Sequence, residues 1–399
     1  MKTTRLLMSI CAVSFSTLFA QGQSNDLAPE ATATQATLSF RDIPILKNGF
    51  MDATPADRKD GVPVGELGVD GGNKEMILKL AQEIADNKLG TFDSFLIAYK
   101  GKLLFESYFT RGRINLPHPQ ASATKAHTGL LLGRAIQLGY LTMADLDKPV
   151  VSFLKDLDPT KFVEGVEKIT LHKALTMRGG LRISKEQSEE FEKNPAALKG
   201  QSMVQALFER SAPITTESQH FSYGNYNPEL VMQVIEAVVP GSARDFIKNE
   251  LFDKMGITNY DWQNEISGLP AAGWRSSITS RAMVKLGILA MNKGKWNGEQ
   301  LIPEAFIAKT NSRVLHTGDD DVYGGGKDVF NQGYGYFRWN ADLKHGNKSY
   351  YSTSAQGGGG QFIIVIKELD LIIVTTGHNN DGNGTLQITA ERILPAFIK

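Results

Sequence analysis

Cysteine is almost missing from this chain. One occurs in 399 residues, Cys11, so a disulfide scaffold, a thiol nucleophile and thiolate-bound zinc all lack their raw material. Net charge is missing too, because 43 Lys and Arg balance 43 Asp and Glu. That balance implies neither a basic face for nucleic acid nor an acidic tail. The single like-charge run, Asp319-Asp320-Asp321, has no further carboxylate or histidine at a ligand spacing and reads as a solvated loop tip. Seven histidines are scattered without an H-E-x-x-H pattern, and no metal or other cofactor is expected. Gly333, Gly335 and the 357–360 glycines lack the strand-loop-helix context of a nucleotide loop. There is no G-x-S-x-G elbow for an ordinary Ser-His-Asp hydrolase, and no internal repeat.

What is present begins with an export signal. "MKTTRLLMSICAVSFSTLFAQGQS" has a positive start at Lys2 and Arg5, an apolar stretch over 6–20, and small residues at Ala20 and Gly22. Residues 1–22 are expected to be a cleavable signal peptide, and the mature protein periplasmic or secreted without stable membrane insertion. A lipoprotein signal at Cys11 is disfavoured, since Ile10 stands where a small residue is needed. Without Lys2 and Arg5, 41 basic residues face 43 acidic ones, a mature net charge of −2. No other run is apolar for long enough to span a bilayer.

Residues 23–65 are rich in Ala, Thr, Asp, Gly and Pro, which predicts a poorly structured leader. "KEMILKLAQEIAD" (74–86) has the apolar spacing of an amphipathic helix, and "SFLIAYKGKLLFESYF" (94–109) that of a hairpin. Helical patterns dominate from 121 to about 250, and another spans 280–294. "GGGGQFIIVIKELDLIIVTTG" (357–377) reads as two strands covered on both faces, with 74–86 and the C-terminal helix as covers. The economical fold is α/β (α+β). An antiparallel sheet from 66–120 and 270–399 carries flanking helices, and an all-helical domain of 121–269 is inserted between.

The helix that opens "ASATKAHTGLLLGRAIQLGYL" (121–141) raises a chemical question. Ser122 and Lys125 are three residues apart, so both side chains share one face. Pro117 and Pro119 place the helix start close to Ser122. A lysine is ordinarily protonated at neutral pH, but burial and the positive end of the helix dipole both disfavour its charge. Such a lysine can take the serine proton. The second S-x-x-K, Ser152–Lys155, leads into the polar "DLDPTK", and its lysine is expected to reach solvent.

Two further stretches fit the same chemistry. "FSYGNYN" holds the single Y-x-N of the chain. Tyr223 is a candidate base for the serine and acid for a leaving group, and Asn225 a candidate to hold a substrate carbonyl. "SAQGGGGQF" (354–362) opens an apolar strand, where a main-chain N–H can serve an oxyanion and the glycines let substrate approach.

In this order, the three motifs resemble the serine β-lactamase, penicillin-binding-protein and esterase superfamily, on its class C side. The likeness runs over about residues 66–395 and includes "ITLHKALTMRGGL" (169–181) and "NKGKWNGEQLIP" (292–303). It implies a β-lactamase/transpeptidase-like fold with the site between its two domains. The resemblance places the nucleophile at Ser122, its lysine at Lys125, the tyrosine at Tyr223 and the amide at Asn225. It places the K-T-G-type strand motif on Ala355-Gln356-Gly357, and the oxyanion N–H groups on Ser122 and Gly358. Gln356, Gly357 and Gly358 are therefore candidates for substrate and oxyanion binding.

One departure stands out: Ala355 occupies the place where β-lactamases and transpeptidases carry a cation for the substrate carboxylate. No E-x-x-L-N loop is present, and "A-x-G-x-G-G-Q" resembles the esterase and amide-hydrolase members instead. The expected partner is a small-molecule ester, amide or β-lactam-like substrate. An acyltransferase using the same site, and a non-catalytic binder of cell-wall peptides or β-lactams, are the alternatives.

Overall fold

The computed structural model describes residues 27–318, 322–379 and 382–398, so segment 1–22 and Asp319–Asp321 lie outside the described residues. Nine strands form one antiparallel sheet: β1 (Phe50–Asp52), β2 (Phe92–Tyr99), β3 (Lys102–Tyr108), β4 (Leu315–His316), β5 (Val329–Tyr334), β6 (Trp339–His345), β7 (Lys348–Gly357), β8 (Gln361–Ile366) and β9 (Leu371–Gly377). Their spatial order is β1-β3-β2-β9-β8-β7-β6-β5-β4. The N-terminal hairpin thus joins the C-terminal strands where β2 pairs with β9, Ile97 opposite Ile373. The antiparallel sheet and the mixed α/β class agree with expectation.

Alternation along the strands divides the core in two. Leu96, Ala98, Ala355, Ile363, Val365, Ile372 and Val374 face a larger cluster that holds the helices α2 (Thr124–Gln137), α3 (Tyr226–Val238) and α4 (Ser280–Met291). Phe95, Ile97, Phe362, Ile364 and Ile373 face the second cluster, shared with α1 (Lys74–Ala85) and Leu386–Phe397. The two helices expected to cover opposite faces therefore lie on the same one. The other face is covered by α2 and α4, the latter approaching so closely that a Cβ on Gly287 would stand 2.7 Å from Ile372.

The leader departs from expectation. Its described part is docked: Ala33–Ala36 is a capped helical turn, β1 pairs with β3, and Ile43 and Val62 are each 2% exposed. Backbone bonds fasten it, Leu46 N–H to Thr110 C=O at 2.7 Å and Leu103 N–H to Pro63 C=O at 2.8 Å. Composition hides this, because an edge strand accepts any sequence that can offer backbone donors and acceptors.

A buried ion pair anchors α4 to the hairpin. Arg281 makes two bonds to Glu106, 2.9 and 2.8 Å, and Tyr108 donates to the same carboxylate at 2.7 Å.

Candidate active site

Ser122 lies in a single 3₁₀ turn, Ala121–Ala123, that leads directly into α2. Ala121 takes φ +45°, a left-handed conformation costly for a residue with a Cβ. It turns the chain sharply between the short strand His118–Pro119 and the helix. Gln120 N–H bonds Ser276 C=O at 2.8 Å, and Thr124 and Ser276 share a hydroxyl bond of 2.8 Å. From Thr124 to Ile136 every residue of α2 is buried.

That burial carries Lys125 with it. The side chain is 1% exposed, and desolvation lowers its pKa to about 8. Nζ lies 3.3 Å from Ser122 Oγ, 2.8 Å from Asn225 Oδ1 and 2.9 Å from Gly273 C=O. A neutral amine has two N–H donors and one lone pair. Asn225 and Gly273 offer acceptors only, so they take the two donors and leave the lone pair for the Ser122 hydroxyl. With a pKa of about 8, about one-tenth of the amines are neutral at pH 7.

Tyr223 completes the group from the loop before α3. Lys125 Nζ stands 4.8 Å from the centre of its ring. The residue is 40% exposed, yet burial around its hydroxyl raises the phenol pKa, while the Ser122 and Trp339 side chains act in the opposite sense. Trp339 packs on the same ring at 5.2 Å and Tyr334 at 6.2 Å. Asn225 precedes the first turn of α3, and its side chain reaches Lys125 only because position 273 is glycine. A Cβ there would stand 2.6 Å from Asn225 Oδ1.

At the end of β7, a Cβ on Gly357 would lie 2.1 Å from Gln120 C=O, so the strand can approach the Ser122 turn only with glycine here. Gly358 begins the following turn and is open to solvent. Gln356 is corrected: its side chain is not at the site. Successive residues of a strand point to opposite faces. Ala355 and Gly357 face α2, whereas Gln356 pairs with Phe362 on the α1 side and donates to Ser354 Oγ at 2.8 Å.

The match to known proteins is decisive on lineage: residues 93–396 fit the Beta-lactamase family model. The chain belongs to the beta-lactamase family. Among solved structures, a class C β-lactamase shares 15% identity over 82% of this chain and 96% of its own, with a TM-score of 0.59. A penicillin-binding protein from Bacillus halodurans shares 16% over 79% and 99%, TM-score 0.57. A D-stereospecific amidohydrolase from Streptomyces shares 15% over 78% and 97%, TM-score 0.53. No curated protein matches.

Within this beta-lactamase-family chain, the second S-x-x-K is separate from the site. Ser152 is exposed and donates to Pro149 C=O at 2.6 Å, and Lys155 is exposed. His127 is a buried residue of α2, its pKa lowered to about 3 by desolvation. His172 bonds Tyr336. Sequence reasoning missed Gly273 and Trp339, which lie 148 and 214 positions from Lys125 and carry no local motif. His118, expected to be structural or at the surface, is structural. Its Nε2 is 3.1 Å from the buried Asp93 carboxylate, which His378 Nδ1 meets at 2.7 Å.

Proposed function

We propose that this protein is an exported serine hydrolase that cleaves an ester or amide bond through an acyl-enzyme on Ser122. The observation that carries the reading is the Lys125 amine, desolvated, bonded to two acceptors and 3.3 Å from Ser122 Oγ.

In this reading, Ser122 Oγ attacks the substrate carbonyl as its proton passes to Lys125 Nζ. The Ser122 and Gly358 N–H groups hold the oxyanion, where preorganised donors are worth most. Tyr223 lies against both Lys125 and Ser122 and delivers the proton to the leaving group. The bond to the leaving group breaks, and Ser122 is left as an ester. Water then attacks that ester as Tyr223 and Lys125 take its proton, the acyl carbon–Oγ bond breaks, and the proton passes on to Ser122 Oγ, which restores the serine hydroxyl and releases the acid. Asn225 orients Lys125 through Oδ1 and keeps its amide N–H₂ for the substrate carbonyl.

Turnover of a panel of activated esters and amides tests the assignment. Ser122→Ala is expected to abolish it, and Ser152→Ala to leave it unchanged. Equal loss from both variants would refute the nucleophile.

A further inference from the structure

The turn that carries Ser122 also borders a cavity of about 990 Å³, and one of its walls is the leader. Ala121 and Gly358, next to the nucleophile, share its lining with Leu38, Phe40 and Arg41 of the leader. These leader residues lie outside the 93–396 stretch that fits the family model. The wall is held in place. Phe40 packs edge-on against His118, ring centres 4.2 Å apart. Arg113 donates to Pro44 C=O at 2.7 Å, and Asn115 makes two bonds to the backbone of Ala31.

Arg41 lines this cavity beside Asp261, and a second guanidinium, Arg111, stands behind the wall. Arg111 ties the leader to the far wall, its Nε donating to Arg41 C=O at 3.1 Å and its Nη1 lying 3.1 Å from His378 Nε2. Because a guanidinium only donates, His378 Nε2 is the acceptor there, and its Nδ1 donates to Asp93. Asp93 is thus consumed by the two histidines and Thr110 and offers nothing to the guanidinium groups. Neither Arg41 nor Arg111 has a carboxylate partner among the described residues. Asp261 is the sole acid on the cavity wall.

The other described surroundings of the nucleophile suit an anion less well. Ala355 is buried against α2 and carries no charge. Arg275 is committed to the Trp274 ring at 4.1 Å and to Asn264 C=O. The cavity on the other flank, about 370 Å³, shares Asn225 and Gly273 with the site and is lined by Glu192, Glu229 and Glu265, with no basic side chain. It repels a carboxylate.

We propose that the leader completes a binding cavity for a carboxylate-bearing half of the substrate, with Arg41 as its counter-charge and Arg111 and His378 as the groups that position it. Apolar contact comes from Leu38, Phe40 and Leu116. The substrate class is then a linear or cyclic ester or amide with a free carboxylate on the side of Gly358. This inference rests on Ser122 as the nucleophile.

The test reads binding apart from turnover, on the full-length Ser122→Ala protein. Affinities for 4-phenylbutanoate and 4-phenylbutanamide are compared by calorimetry or ligand-observed NMR. The acid is expected to bind at least fivefold more tightly than the amide. Arg41→Gln in the same background should remove most of that preference and leave the amide unchanged, and Arg41→Lys should restore part of it. Among the described residues the Arg41 side chain makes no hydrogen bond or ion pair, so the substitution tests charge and not folding; Arg111→Gln should act in the same direction. Equal binding of acid and amide, no binding of the acid, or a preference untouched by Arg41→Gln would overturn the proposal. A Ser122 that resists a fluorophosphonate while acid preference persists would instead refute the nucleophile.

Discussion

The reactivity of Ser122 should follow the titration of Lys125. Labelling by a fluorophosphonate needs no knowledge of the substrate, and its second-order rate measures the activated serine. Burial lowers the Lys125 pKa to about 8, so the neutral fraction is about 1% at pH 6 and about half at pH 8. The rate should rise about fiftyfold between those values and level off above pH 9. A lysine at its ordinary value would keep the rate rising past pH 10. Asn225→Asp sharpens the test, because it places a carboxylate at the position of the amide oxygen 2.8 Å from Nζ. An opposite charge at that distance favours the ammonium, and the inflection should move to about pH 9–10. A profile without an inflection, or one unmoved in Asn225→Asp, would refute Lys125 as the base.

Other substitutions probe the frame. Gly357→Ala drives a Cβ into Gln120 C=O, and should cost about 1–3 kcal/mol in denaturant unfolding and slow Ser122 labelling more than tenfold. An unaltered labelling rate would show that the strand does not fix the nucleophile turn. Glu106→Gln leaves Arg281 buried without its bidentate partner, a loss of about 3–5 kcal/mol; a change under 1 kcal/mol would contradict the buried pair. Asp93 would be raised by burial alone, but bonds from His118, His378 and Thr110 prevail and hold its carboxyl well below the usual carboxylate range. Its contribution is therefore present above the unfolded pKa near 4 and lost as pH falls through the lower folded value. Asp93→Asn should destabilise by about 3 kcal/mol at pH 7 and by progressively less on acidification below pH 4, as urea midpoints at each pH would report. A cost independent of pH would contradict the ionised carboxylate.

The nucleophile helix was legible because its chemistry is local. Ser122 and Lys125 are set by one helical turn, and the apolar run behind them announces burial. Both hairpins were legible from their β-rich or continuous apolar runs and the Lys100-Gly101 and Lys367–Asp370 turns. The acceptors for Lys125 were not, since Gly273 and Asn225 meet it only through the packing of α2, α3 and the Trp262–Ser276 segment. Gln356 was misassigned because a motif gives residue order, whereas the two-residue period of a strand decides which side chain faces the site. The leader misled by composition. The apolar side chains it packs inward, among them Phe40, Ile43 and Val62, are spread among polar residues, and backbone bonds to the β3 edge supply the rest of its attachment.

The most direct test of the central claim is intact-mass measurement of the protein after a fluorophosphonate, followed by peptide mapping. A single adduct on Ser122, absent in Lys125→Ala, is the predicted result. A folded protein that takes no adduct, or takes it at Ser152, would contradict the account.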